Sequence, residues 1–154
     1  MPFFLESGCA AAGYLPFRHA DITELNTTCG LSQGEVFFSM ETWDIDTSLV
    51  DEWLAALPPS VLSRVLAALH QLEMRGPQLG RPYVDRVTGS RIHHLKELRP
   101  LTTATCAIRV LFVFDRNRRV VLLVAGNKAG AWSAWYRRNI PIAEKNYDSY
   151  NEQQ

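Results

Sequence analysis

Glu97, Arg99 and Arg109 are the residues whose types and spacing hold the most chemistry in this chain. Side chains alternate along a strand, so Glu97 and Arg99 of the segment Leu95-Lys96-Glu97-Leu98-Arg99 share one face, and His94, Lys96 and Leu98 share the other. In the next apolar run Ile108, Val110, Phe112 and Phe114 should face the core, which turns Arg109 to the opposite, open side. Glu97, Arg99 and Arg109 can therefore meet on one sheet face, as a site for a polyanion or as a plain ion-pair ladder across strands. Lys128 follows in Gly126-Asn127-Lys128-Ala129-Gly130, where two glycines give backbone access. Beyond it, Trp132, Trp135 and Tyr136 interleave with Arg137 and Arg138. Rings that stack bases beside cations that meet phosphates suit RNA. The three rings also lie on one helical face, so the alternative is a packing stripe.

The charge distribution agrees with a polyanion partner. The 154 residues carry 16 Lys and Arg against 16 Asp and Glu, yet residues 1–50 hold one basic residue against seven acidic ones. Residues 75–138 hold 13 basic residues against three acidic ones. A neutral total thus conceals an acidic head and a strongly basic body, and phosphate backbones are the commonest target of such a body. His93 and His94 are neighbours in a predicted strand and point to opposite faces, so they are poor chelators. Three cysteines (Cys9, Cys29, Cys106) without CxxC spacing predict neither a zinc site nor a disulfide framework and suit a reducing cytosol. No run approaches a membrane span, and Glu6 interrupts the apolar start of MPFFLESGC, so neither membrane insertion nor export is expected.

The elements that must position these groups follow from periodicity. Residues 1–40 are weakly patterned and read as an acidic N-terminal extension, with Met40 as a candidate natural start; residues 41–154 read as one domain. Trp43–Asp46 is a predicted strand. Ser48 with Asp51 looks like a capping box opening a helix that Pro58-Pro59 ends. Ser60 can cap a second helix with the stripe Leu62, Val65, Leu66, Leu69 and Leu72, which Gly76-Pro77 stops. Residues 76–90 read as a loop. Strands are predicted over 91–98, 105–115 and 120–125, followed by an aromatic helix from Ala131 to about Tyr150, kinked or restarted at Pro141. The fold class is α+β, ordered β-α-α-β-β-β-α: a small curved, mostly antiparallel sheet with a helical hairpin and a C-terminal helix.

The segments LGRPYVDRVTGSRIHHLKELRP (79–100), IRVLFVFD (108–115) and VVLLVAGNKAGAWSAWYRRNIPIAEKNYDSY (120–150), with the helical hairpin before them, resemble the RelE/ParE toxin superfamily. They look closest to its HigB-like, phage-derived Gp49-type branch. The resemblance spans about residues 43–150. It implies a compact RelE-like fold and the toxin of a type II toxin–antitoxin system. It points to a cytoplasmic, metal- and cofactor-independent endoribonuclease that cleaves mRNA on the ribosome, an mRNA interferase that inhibits translation. On that pattern Arg109 and Arg99 would hold the phosphate, and Glu97 would be the general base if its carboxylate is free. Lys96 or Lys128 would stand in reserve, Tyr136 would be an acid or stacking ring, and Trp132 or Trp135 would stack the flanking base. The partners implied are a helix-turn-helix, HigA-like antitoxin, mRNA and the ribosome, and operator DNA through the antitoxin complex. The alternatives are a ParE-like toxin that poisons DNA gyrase without nuclease activity, or a decayed toxin kept for antitoxin binding and autoregulation. The chain departs from the pattern in placing Glu97 where the best-known RelE members carry lysines, and Asn127 where close relatives tend to carry an acid.

Overall fold

The computed structural model describes residues 42–103 and 105–153; the expected N-terminal extension, Met40, Cys9 and Cys29 lie outside the described residues. The described residues all fall within one compact unit. Its elements run β1 (Asp44–Asp46), α1 (Asp51–Ala55), α2 (Pro59–Arg75), a 3-10 turn (Gly76–Gln78), β2 (Val84–Arg86), β3 (Lys96–Thr102), β4 (Ala107–Phe114), β5 (Arg119–Asn127) and α3 (Trp132–Glu152). The five strands form one sheet in the order β1-β5-β4-β3-β2, with β1 parallel to β5 and every other pair antiparallel. The expected α+β architecture is present, with one strand more than periodicity predicts.

Both faces of the sheet are covered. The stripe Val65, Ala68, Leu69 and Leu72 of α2 packs on Val84, Leu98, Ile108, Val110 and Phe112. The other face, Leu111, Val113, Val121 and Leu123, is covered by Trp135, Ile140 and Ala143 of α3. The central strand β4 is accordingly buried on both sides, and its apolar residues read as a nearly continuous run. This corrects the expectation of an open face: Arg109 does point away from the α2 side, but into the layer beneath α3.

Local chemistry explains the shifted boundaries. Ser48 spends its N–H and hydroxyl on Asp46 Oδ1 (3.1 and 2.7 Å), so it closes a turn and does not cap a helix. Helix α1 starts at Asp51 with no side-chain cap. Helix α2 starts at Pro59, one residue before the expected cap Ser60, because proline at the first helical position is already set for the helix. The predicted strand 91–98 begins only at Lys96. Ser90 Oγ and the Arg91 N–H donate to Glu144 Oε1 on α3 (2.7 and 2.8 Å), which pulls this stretch, including His93 and His94, into a turn. Strand β2 lies within the expected loop and pairs Asp85 with Glu97. Helix α3 runs unbroken through Pro141.

Two backbone irregularities shape the sheet and its edge. Between Leu98 and Leu101 the β3–β4 register slips, opposite Arg109. Pro100 has no N–H for the ladder, which accounts for a bulge in an interior strand. Gly76 ends α2 at φ +52, and a Cβ there would lie 2.1 Å from the Trp43 indole. Gly76→Ala is therefore expected to cost at least ~2 kcal/mol through the left-handed backbone and the displaced ring. A lowered urea midpoint, with a changed Trp43 fluorescence baseline, is the measurement; an unchanged midpoint would contradict the packing.

Candidate functional site

The site grows from one carboxylate. Glu97 is 3% exposed, and a buried carboxylate must find partners or give up its charge. Its Oε1 accepts from Arg99 Nε at 2.7 Å and also from Arg99 Nη2. Its Oε2 accepts from the Tyr136 hydroxyl and lies 3.8 Å from Arg109 Nε. Arg109, equally buried, also donates through Nη1 to Thr102 Oγ1 (3.1 Å) and to the Ile108 carbonyl (2.6 Å). The Tyr136 oxygen in turn accepts from Lys128 Nζ at 2.9 Å. A connected chain therefore runs Lys128–Tyr136–Glu97–Arg99, with Arg109 at its side.

Each member is delivered by a local device. Strand alternation puts Glu97 and Arg99 on the α3 side, and the Pro100 bulge opens room opposite Arg109. Gly126 is the cross-strand partner of Arg109, and a Cβ there would lie 3.0 Å from Trp135 Nε1. A side chain there would force the Trp135 ring to give by a few tenths of an ångström, so glycine favours the close approach of α3 that brings Tyr136 to Glu97. Asn127 Oδ1 accepts the N–H groups of Ala107 and Ala129 (2.8 and 3.0 Å), and the Lys128 N–H donates to the Ala107 carbonyl (3.0 Å). An acid at position 127 would take the same two donors, so the uncharged amide keeps the turn without adding a charge beside Lys128.

Lys128 is 2% exposed, and its ammonium sits 3.9 Å from the centre of the Trp132 ring and 4.8 Å from that of Tyr136. Burial, and then the Arg109 guanidinium, hold its pKa below the ordinary lysine value. Burial and the hydrogen bond to Glu97 push the Tyr136 phenol in the other direction, well above the ordinary tyrosine value. At neutral pH the phenol is thus a neutral bridge between an anion and a cation. A groove of about 410 Å³ opens beside this cluster, lined by Arg86, Val87, Thr88, Glu97, Arg99, Ser133 and Tyr136.

The structure brings together Glu97, Arg99, Arg109, Lys128 and Tyr136, and the ion-pair ladder and the candidate site prove to be the same residues. Trp132 is 58% exposed at the rim, with Arg137 and Arg138 exposed on the same helix. Three expectations need correction. Lys96 lies on the opposite sheet face from Glu97, because adjacent strand residues alternate, so it does not join the cluster. Trp135 is 7% exposed within the core under α3, so it is not a surface for stacking bases. The Glu97 carboxylate is not free. Sequence reasoning also misses Asp85: its Oδ2 accepts from Arg99 Nη2 and Arg81 Nη2, each at 2.8 Å. The only sequence signal for it is an acid in a basic stretch, inside a segment that reads as a loop.

Comparison with known proteins places the chain in a family. Residues 52–148 match the family described as phage derived protein Gp49-like. The candidate toxin HigB3 of Mycobacterium tuberculosis is 46% identical over 101 residues, covering 66% of this chain and 86% of that protein. The candidate toxin HigB2 of the same organism is 38% identical over 130 residues, covering 84% of this chain and 65% of that protein. Among solved structures, a mutant of the E. coli toxin RelE in the free state aligns with TM-score 0.41 and 15% identity, over 60% of this chain and 90% of that one.

The raised Tyr136 pKa has a measurable sign. A phenol that is harder to ionise when folded contributes stability that is whole below the unfolded pKa of about 10 and is lost as pH rises beyond it. In an ultraviolet pH titration of the folded chain, Tyr136 should ionise above the ordinary tyrosine range. Tyr136→Phe should remove a late component and flatten the loss of stability above that pH. Burial and the hydrogen bond to Asp115 also raise the Tyr150 pKa, so the test is the difference between the two proteins: a late component undiminished by this substitution would show that Tyr136 is not the bridged phenol.

Proposed function

Because the chain belongs to the phage-derived Gp49-like family, we propose that it is a HigB-like toxin of a type II toxin–antitoxin system and that residues 41–154 carry its activity. That activity is cleavage of ribosome-bound mRNA. The observation that carries this reading is the buried Glu97 carboxylate gathering Arg99, Arg109 and Tyr136, with Lys128 behind the phenol, beside an open groove.

The reaction is attack of a ribose 2′-oxygen on the adjacent phosphorus, with the 5′-oxygen leaving, to give a 2′,3′-cyclic phosphate and a 5′-hydroxyl. Arg99 and Arg109 offset the charge that grows on the phosphoryl oxygens, Arg99 through the guanidinium edge it turns to the groove. The Tyr136 hydroxyl already donates to Glu97, so it passes its proton to Glu97 as it takes one from the 2′-hydroxyl. Its raised pKa keeps it from holding negative charge, which makes it a relay and leaves Glu97 as the final acceptor. Lys128, bound to the same phenol and acidified by burial, gives a proton to the leaving oxygen. Glu97 gains one proton and Lys128 loses one, so the step balances. Trp132 stacks the flanking base at the rim, and Arg137 and Arg138 meet neighbouring phosphates. A helix-turn-helix antitoxin that covers this basic groove is the partner the reading requires, and the pair would bind operator DNA.

Primer extension on ribosome-bound mRNA, after expression of the chain without antitoxin, tests the reading. Wild type should produce defined cuts. Arg99→Ala should reduce them by about 100-fold, the usual cost of losing one preorganised contact to a developing charge. Lys128→Met should abolish cutting while the chain unfolds at an equal or higher denaturant concentration, because the buried ammonium serves chemistry at the expense of stability. Intact mRNA together with stalled gyrase would overturn the proposal in favour of a ParE-like poison.

A further inference from the structure

Arg99 is held from two sides. Glu97 Oε1 takes its Nε (2.7 Å) and its Nη2, and Asp85 Oδ2 takes the same Nη2 at 2.8 Å. Its Nη1 meets no hydrogen-bond acceptor among the described residues, and the side chain is 29% exposed at the groove. Asp85 is itself anchored. Its Oδ1 accepts the Arg86 N–H at 2.9 Å, its Oδ2 accepts Arg81 Nη2 at 2.8 Å, and β-pairing sets it directly across from Glu97. The backbone N–H of Arg86 pulls its pKa below the ordinary carboxylate value; burial opposes this, and Arg81 and Arg99 add to it. It is therefore a fixed anion, built into an edge strand of only three residues.

We propose that Asp85 is a positioning residue of the site: with Glu97 it clamps the Arg99 guanidinium so that the Nη1 edge alone faces the groove and meets a phosphate oxygen. The proposal rests on the ribonuclease reading for its catalytic consequence, although the clamp itself does not. A guanidinium is a planar fork, and two acceptors on one end fix the direction of the other. With Glu97 as sole partner, Arg99 could swing about that carboxylate and offer either edge. Asp85 removes that freedom before substrate arrives, which is the preorganisation that transition-state stabilisation requires. An anion beside the groove is otherwise a poor choice for a protein that binds a polyanion. Asp85 weakens the attraction for RNA, and its presence makes sense if orientation matters more than attraction.

That opposition gives the test. Asp85→Asn keeps the shape, removes the charge and loosens the clamp. With ribosome-bound mRNA as substrate, kcat should fall about tenfold, while KM stays level or falls because the groove has gained positive charge. In an Arg99→Ala background the same substitution should leave kcat unchanged, since its whole effect passes through Arg99. Asp85→Glu should recover part of the loss. A kcat loss of equal size in both backgrounds, or a raised KM at unchanged kcat, would overturn the proposal in favour of a general structural role. The clamp has a readout independent of cleavage: in 15N NMR of the folded chain, rotation of the Arg99 guanidinium about Cζ–Nε should be slow in wild type and fast in Asp85→Asn. If wild type fails to cut RNA but that difference is present, the ribonuclease reading falls and the clamp stands. If rotation is the same in both proteins, the clamp is wrong whatever the activity.

Discussion

The structure turns on the desolvation of Glu97. A carboxylate held at 3% exposure would be costly alone, and so would Arg109 and Lys128, which are equally buried around it. Their burial is tolerable because opposite charges and hydrogen bonds within the cluster offset much of the lost hydration. Two guanidinium groups face the carboxylate, and a neutral phenol carries the link onward to the ammonium. Buried ionic groups of this kind seldom add net stability relative to apolar residues of similar volume. Two apolar layers on the faces of β4 hold the molecule together, and the polar cluster occupies the end of one of them. An arrangement that contributes little to stability, yet fixes five ionic or polar groups in one cluster beside a groove, is what makes these residues the candidate site.

The cluster joins residues from far-separated parts of the chain. Glu97 and Arg99 come from β3, Arg109 from β4, Lys128 from the end of β5 and Tyr136 from α3. Their convergence depends on how closely α3 approaches the sheet. Gly126 permits the Trp135 indole to lie against the strand opposite Arg109, and Trp135 precedes Tyr136 directly. Trp135 thus serves the site from behind. By packing as core it fixes the helical phase that delivers the next residue's hydroxyl to Glu97, and Ile140 and Ala143 extend the same seam along the helix. Asn127 does the corresponding work for Lys128 by closing the turn that carries it.

Legibility in the sequence depends on which forces are local. The α2 stripe, the β4–β5 hairpin and the long C-terminal helix are periodic signals, and the structure has them within a few residues. The convergence of Glu97, Arg99 and Arg109 also comes from period-two alternation. The depth of that convergence does not, because the sheet face beside Arg109 is closed by α3, and nothing local in β4 announces which face a distant helix will cover. Lys96 shows the cost of reading composition over geometry: a cation next to Glu97 in sequence is on the other side of the sheet. Asp85 shows the opposite failure. Strand β2 has three residues, flanked by Gly80 and Pro82 on one side and Gly89 on the other, so its pairing with β3 is invisible until β3 is in place. The start of β3 is displaced for a similar reason, since Glu144, more than 50 residues away, holds Ser90 and Arg91 in a turn.

The distribution of charge takes on a different sense once the site is assembled. Between residues 75 and 138 only three acids stand among 13 basic residues, and the structure gives all three positional work. Glu97 centres the cluster and Asp85 holds the outer side of Arg99. Asp115 closes the β4–β5 turn by accepting the N–H groups of Asn117 and Arg119 on Oδ1 and the Tyr150 hydroxyl on Oδ2. A surface that evolved only to attract a polyanion would gain from losing these acids. Each of them instead holds a cation or a backbone turn in one orientation, so on the proposed reading this basic body is organised around direction as well as attraction. On the proposed reading, attraction alone can be supplied by any exposed arginine, such as Arg137 and Arg138 on α3. Direction needs an anion on the protein side of each cation it aims, and that requirement accounts for the two carboxylates that meet Arg99 at the groove.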